Sequence, residues 1–256
     1  MQYAQTNVQL YQQLLRANWA EDDLRNVQSA YRLALRVVAS HYHASERPFL
    51  AHLVGVASIL AQHGAHCTVV SAGLLHSVYE HGDFGDGSRG LSETRRRAVR
   101  RSVGAASEEL IARYAALPWS ETFLSDLLTR AGHLSPVDGA AAWMKVADLL
   151  ECGEAAPAVQ PSTTASGEIA ARLAAALGHH SLGAELAAVF AAGARRDASP
   201  VPDFLSTSHR RSFAVAPLSH GVRPGVRLLR LVRKIRKSLL TSSPFARRLA
   251  AAYADN

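Results

Sequence analysis

LLHSVYEH, residues 74–81, lies inside the apolar run TVVSAGLLHSVYEHG, residues 68–82. The apolar residues around it predict one buried helix over residues 66–82, with His76 and Glu80, four positions apart, on one helical face. Burying an imidazole and a carboxylate one turn apart is costly unless something occupies both. A cation or a hydrogen-bond network is needed there.

Working outward, helical periodicity fills the first 150 residues. NVQLYQQLLRANW and DDLRNVQSAYRLALRVVASHYH precede PFLAHLVGVASILAQHG, where Phe49, Leu53, Val56 and Leu60 recur at helical spacing with His52 on their face. Gly64 reads as its C-cap. After residue 82 the glycine-rich GDFGDGSRG predicts an exposed loop. SETRRRAVRRSVG and ASEELIARYAAL read as a short helical pair with a basic outer face, followed by SETFLSDLLTRAG. Ser135, Pro136 and Asp138 then supply an N-cap, a first-turn proline and an N3 acid for DGAAAWMKVADLLEC. GEAAPAVQPSTTASG, residues 153–167, reads as a flexible connection before EIAARLAAALG and LGAELAAVFAAGARR. His63, His66, His179 and His180 read as surface or helix-end residues without a role.

Strand-like alternation is scarce, so the fold class is all-α. Cys67 and Cys152 form no CxxC pair, which argues against a disulfide framework or a cysteine zinc site. The first residues lack the pattern of a signal peptide and no apolar run is long enough to span a bilayer, so a cytoplasmic location is expected. The net charge of +7 is uneven: from residue 204 onward eleven Lys and Arg face one acid, Asp255. This divides the chain into a helical domain over 1–197, a linker over 198–222 and a basic tail over 223–256.

Three polar residues occupy apolar helical faces: His52, His76 and Asp148. Two imidazoles and a carboxylate bind Zn, Mn or Fe and leave open positions for water and substrate. A single histidine in such a place is more often a hydrogen-bonded core residue. Spacing alone leaves both readings open.

SERPFLAHLVGVASIL, AGLLHSVYEH and KVADLL together resemble the HD-domain metal-dependent phosphohydrolases, above all the hydrolase domain of RelA/SpoT-type enzymes. The resemblance covers about residues 25–152 and implies an HD-type helical bundle holding a divalent metal ion (Mn, Zn, Fe or Mg). It implies His52, His76 and Asp148 as ligands, Glu80 as the residue that positions the attacking water, and Lys145 as the lysine before the last aspartate. The chain also departs from the pattern. Ser77 replaces the defining aspartate, His81 replaces the acid after the glutamate, and His43 stands where the family has an arginine-containing loop. Leu149 and Cys152 replace an arginine and an asparagine. A serine is a weak, neutral ligand, so one metal rather than two is expected, with His81, Asp83 or His43 left to supply a fourth contact.

The resemblance therefore implies hydrolysis of a phosphoester or nucleotide, with the metal activating water, Glu80 orienting it, and Lys145 or Arg89 balancing phosphate charge. The alternative is a catalytically degenerate HD fold kept for binding or assembly. A metal-using oxygenase ranks third. In the tail, Leu228, Leu231, Val232, Ile235 and Leu239 form a stripe flanked by Arg227, Arg230, Arg233, Lys234 and Lys237. Such a helix docks on protein, lies on an anionic membrane surface through residues 223–240, or binds nucleic acid. The last is disfavoured because no aromatic residue interleaves the charges.

Overall fold

The structure, a computed structural model, describes residues 3–38, 41, 43, 47–85, 88–155 and 161–193. The basic tail and the linker before it fall outside the described residues. Within them the chain is all-α, with ten α-helices, one 3-10 turn and no strand. The helices are α1 (Asn7–Arg16), α2 (Glu21–Val38), α3 (Phe49–Gln62), α4 (Cys67–Gly73), α5 (Val78–His81) and α6 (Glu93–Ala116). After these come α7 (Glu121–Thr129), α8 (Pro136–Ala155), α9 (Pro161–Ala176) and α10 (His180–Gly193).

Local chemistry sets the boundaries. Thr6 and Gln9 form a reciprocal capping box at α1, and Ser92 and Ser120 cap α6 and α7. At α8 the amide of Asp138 donates to Ser135 Oγ at 3.1 Å, as the sequence predicts. One apolar core runs from Tyr3 to Phe190. α3 lies at its centre: every residue from His52 to Leu60 is buried, so this helix has no solvent face. α8 packs against α3, α6 and α10, which brings its polar residues into the same interior.

The helical pair expected over residues 92–117 is present as the two halves of α6, which meet at Gly104 with φ 81°. The basic outer face is not free charge. Arg95 is buried and donates to the Gly90 carbonyl at 2.6 Å. Arg96 Nε and Arg100 Nη2 donate to Glu108, at 2.7 and 3.0 Å, from the opposite side of the bend. Glu108 also accepts from Tyr79 Oη at 2.8 Å. Burial alone would raise its pKa, but these donors hold it below the usual value.

One further expectation is corrected, and the exposed loop is borne out only in part, at Ser88 and Arg89. The flexible connection over residues 153–167 is largely helix: α8 runs on to Ala155 and α9 starts at Pro161. The composition misleads because Gly167 is small for packing. A Cβ there would stand 2.5 Å from the Phe190 ring of α10. The GDFGDGSRG loop, for its part, is tied down at both ends. Asp83 N–H donates to Val37 O at 2.8 Å and Gly90 N–H to Tyr79 O at 2.7 Å. Phe84 stacks on Tyr79 with ring centroids 6.4 Å apart.

Candidate metal centre

The helix expected over residues 66–82 divides, and the division positions His76. Residues 74–77 form a turn between α4 and α5, closed by Leu75 N–H to Ala72 O at 2.9 Å and Val78 N–H to Leu75 O at 3.0 Å. The side chain supplies a reason. His76 Nδ1 donates to Gly73 O at 2.8 Å, the carbonyl that the amide of residue 77 would take in a continuous α-helix. With Nδ1 protonated, His76 Nε2 carries a lone pair and faces inward.

His52, on α3, is held in the same tautomer by a different acceptor. Its Nδ1 lies 2.5 Å from Glu151 Oε2, on the next turn of α8 after Asp148. Glu151 also pairs with the Arg47 guanidinium, whose other arm donates to Gln5 Oε1 at 2.7 Å. Glu151 reaches His52 because residue 55 is glycine: a Cβ there would stand 2.7 Å from Glu151 Cγ. His43 lies flat on His52, with ring centroids 4.0 Å apart and planes 12° from parallel.

The two imidazoles converge on one atom. His52 Nε2 is 3.4 Å and His76 Nε2 is 3.8 Å from Asp148 Oδ1. The three ligand atoms all lie within 4.8 Å of one another. His52 and His76 are 1% and 2% exposed, and Asp148 is 7% exposed. Atoms about 2.0–2.2 Å from one ion stand roughly 3–3.6 Å apart at ordinary coordination angles, close to the separations of both imidazole nitrogens from Asp148 Oδ1. Burial pushes both imidazoles below their usual pKa, against the pull of Asp148. Two neutral nitrogens thus point lone pairs at a carboxylate oxygen, an arrangement that repels itself until a cation sits between them. The residues fit a metal.

The other oxygen of Asp148 is spoken for. Lys145 Nζ donates to Oδ2 at 2.7 Å and Tyr114 Oη donates to it at 3.0 Å. Burial in itself would raise the pKa of Asp148, but the Lys145 ammonium holds it well below the usual carboxylate range. Lys145 is correspondingly raised, its pairing with Asp148 outweighing its own burial. Oδ1 alone is left to the imidazoles.

The structure therefore brings together His52, His76 and Asp148 and places Lys145 against them. Glu80 lies elsewhere: its side chain is 77% exposed, with Oε1 3.6 Å from His81 Nε2. The break between α4 and α5 removes the shared helical face expected for His76 and Glu80. Ser77 is half-buried and its side chain does not cap α5. Arg89 is exposed.

Sequence reasoning missed Glu151, Arg47 and Tyr114. Three histidines left without a role also have partners. His66 caps α4, His63 contacts Ser181 Oγ at 3.1 Å and Glu185 Oε2 at 3.3 Å, and His179 stacks on Trp143 at 3.7 Å.

A family model described as a domain of unknown function, DUF6817, matches residues 33–118. The match includes His52, His76 and Tyr114 and ends before α8, which supplies Asp148 and Glu151. No curated protein matches the chain.

Proposed function

We propose that the chain is a divergent HD-type phosphohydrolase with a single divalent metal, acting on a phosphoester or nucleotide. The observation that carries this reading is the meeting of His52 Nε2, His76 Nε2 and Asp148 Oδ1, with both Nδ1 atoms already committed as donors. His52, His76 and Asp148 hold the ion, which when bound supplies Lewis acidity and a water of lowered pKa.

The chain's other residues build around that centre. Lys145 and Tyr114 fix Asp148 so that Oδ1 faces the imidazoles. Glu151, braced by Arg47, sets the His52 tautomer and makes the ring a better ligand. Because Lys145 is bound to Asp148, it acts as a positioning residue and not as a free phosphate clamp. His81, half-buried and 5.0 Å from the Phe49 ring, lies beside the centre with Glu80 next to it. His81 and Arg89 are the groups offered to a substrate phosphate, and the Glu80 carboxylate is not one of them.

A second reading, a metal-holding bundle that binds without hydrolysing, is favoured by the outward position of Glu80. The experiment measures bound metal in purified protein and in His76→Ala, and chelator-sensitive hydrolysis of bis(p-nitrophenyl) phosphate. The expected result is about one divalent ion per wild-type chain, little in the variant, and hydrolysis lost with the metal. Metal without hydrolysis supports the binding reading. Equal, negligible metal in both proteins overturns both.

A further inference from the structure

Resting on the metal-site reading above, we infer that Cys152 is a fourth protein ligand, so that the centre takes a thiophilic divalent ion such as zinc, ferrous iron or cobalt in preference to magnesium. Cys152 lies one turn beyond Asp148 on α8, and its Sγ is 3.7 Å from Asp148 Oδ1. Oδ1 is therefore approached from three directions by donor atoms at similar distances: two imidazole nitrogens and one sulfur. The thiol donates its proton toward the same oxygen that faces both imidazoles. An ion bound by Oδ1 and Sγ would replace that proton, which leaves to solvent as the Sγ–metal bond forms.

Charge balance points the same way. Asp148 is neutralised by Lys145 and Glu151 by Arg47, while each imidazole has its Nδ1 committed to an acceptor and offers only Nε2. A divalent ion entering this buried set would bring two uncompensated positive charges. In the resembled family an aspartate next to the second histidine offsets one of them, and here that position is Ser77. A Cys152 thiolate restores one negative charge from the opposite helix. It also changes the donor set from nitrogen and oxygen to nitrogen, oxygen and sulfur, which selects against magnesium.

A second observation supports a sulfur-bearing site. His43, His52 and Cys152 form a further group whose ligand atoms lie within 4.8 Å of one another, which places the sulfur beside His52 but does not include His76 or Asp148. It shares His52 with the first group, and His43 Nε2 is 4.0 Å from Cys152 Sγ. The chain's other cysteine, Cys67, is buried at the start of α4 and belongs to neither group.

The test is the absorption spectrum of the full chain loaded with cobalt, with metal content and proton release measured on the same samples. A cobalt–thiolate charge-transfer band in the near ultraviolet is expected in the wild type and in Cys67→Ser. It should be absent from Cys152→Ser, which still binds cobalt but releases fewer protons on doing so. His76→Ala should lose the cobalt itself. Wild-type protein that binds cobalt without the band overturns the Cys152 assignment and leaves the three-residue metal site standing. Failure to bind cobalt at all overturns both. The wild-type spectrum decides the matter even if Cys152→Ser does not fold.

Discussion

Lys145 and Asp148, three residues apart on α8, are bound to each other through Nζ and Oδ2 at 2.7 Å, while Oδ1 of the same carboxylate faces two imidazoles. The ammonium stands in as a permanent countercharge on one oxygen and leaves the other to a cation. Lys145→Met removes that countercharge from a carboxylate whose side chain is 10% exposed. Without metal the variant should lose about 3–5 kcal/mol of stability, the usual cost of an unpaired buried charge. A divalent ion then compensates Asp148 in place of the lysine. The rise in Tm on adding zinc should therefore be larger in Lys145→Met than in wild type. A smaller rise would mean that the ion does not bind Asp148.

Glu151 makes a different prediction because it touches His52 and not the ion position. Its carboxylate accepts from His52 Nδ1 and pairs with Arg47. Glu151→Gln should lower metal affinity about 10–100-fold, the range found when a carboxylate behind a ligating histidine is changed. It also strands the Arg47 guanidinium, so stability falls as well. Arg47→Gln/Glu151→Gln separates the two effects: stability should largely return while the affinity stays low. Competition with a chromophoric chelator reads the affinity, and recovery of both properties together would refute the assigned role.

These contacts show what the sequence made visible. His52, His76 and Asp148 stood out because each is a lone polar residue in an apolar helical pattern, and burial forces such residues to share a purpose. Glu151 did not, since a glutamate near the end of a helix reads as solvated. Its burial depends on Gly55 of α3, ninety-six positions away, making room for its side chain. Tyr114 fits the apolar period of α6, so nothing marked its hydroxyl as a ligand of Asp148. The division of residues 66–82 was hidden for a similar reason: a side chain, His76, takes the carbonyl that helix continuity required. Local propensity holds no record of that competition.

The bend in α6 gives a prediction about stability alone. Glu108 is fully buried and accepts from Tyr79, Arg96 and Arg100, the two arginines reaching it across Gly104. Glu108→Ala leaves the buried Tyr79 hydroxyl and the Arg100 guanidinium without their acceptor, while Arg96 keeps Glu109. The loss should be about 1–3 kcal/mol by chemical denaturation, the cost of a buried hydroxyl left unpaired, since both arginines reach solvent. The candidate metal centre is formed by other residues, so metal stoichiometry in the folded fraction should not change. A loss below about 1 kcal/mol, the usual worth of an exposed ion pair, would show that the arginines do not clamp the bend.

His52 and His76, the two histidines of the candidate centre, predict how the metal-free protein responds to pH. Burial lowers the pKa of both in the folded chain, whereas in the unfolded chain each titrates near about 6.5. As pH falls below that value the unfolded state takes up protons that the folded state refuses. The stabilisation tied to the neutral rings is therefore fully present above about pH 6.5 and is lost as pH falls toward the folded-state values. His43, His81 and His179 are lowered as well and act in the same direction. Tm of the metal-free protein should thus rise between about pH 5 and 7. Asp148 adds nothing in this window, because its folded pKa is depressed and its contribution is lost only in stronger acid. His76→Asn keeps a donor for Gly73 O but cannot titrate, so its profile should be less steep than that of wild type. Bound zinc should steepen the acid side further, since ligation requires the same neutral rings. A Tm that is flat from pH 5 to 7, roughly the span over which unfolded histidines charge, would show that the buried rings are not held neutral.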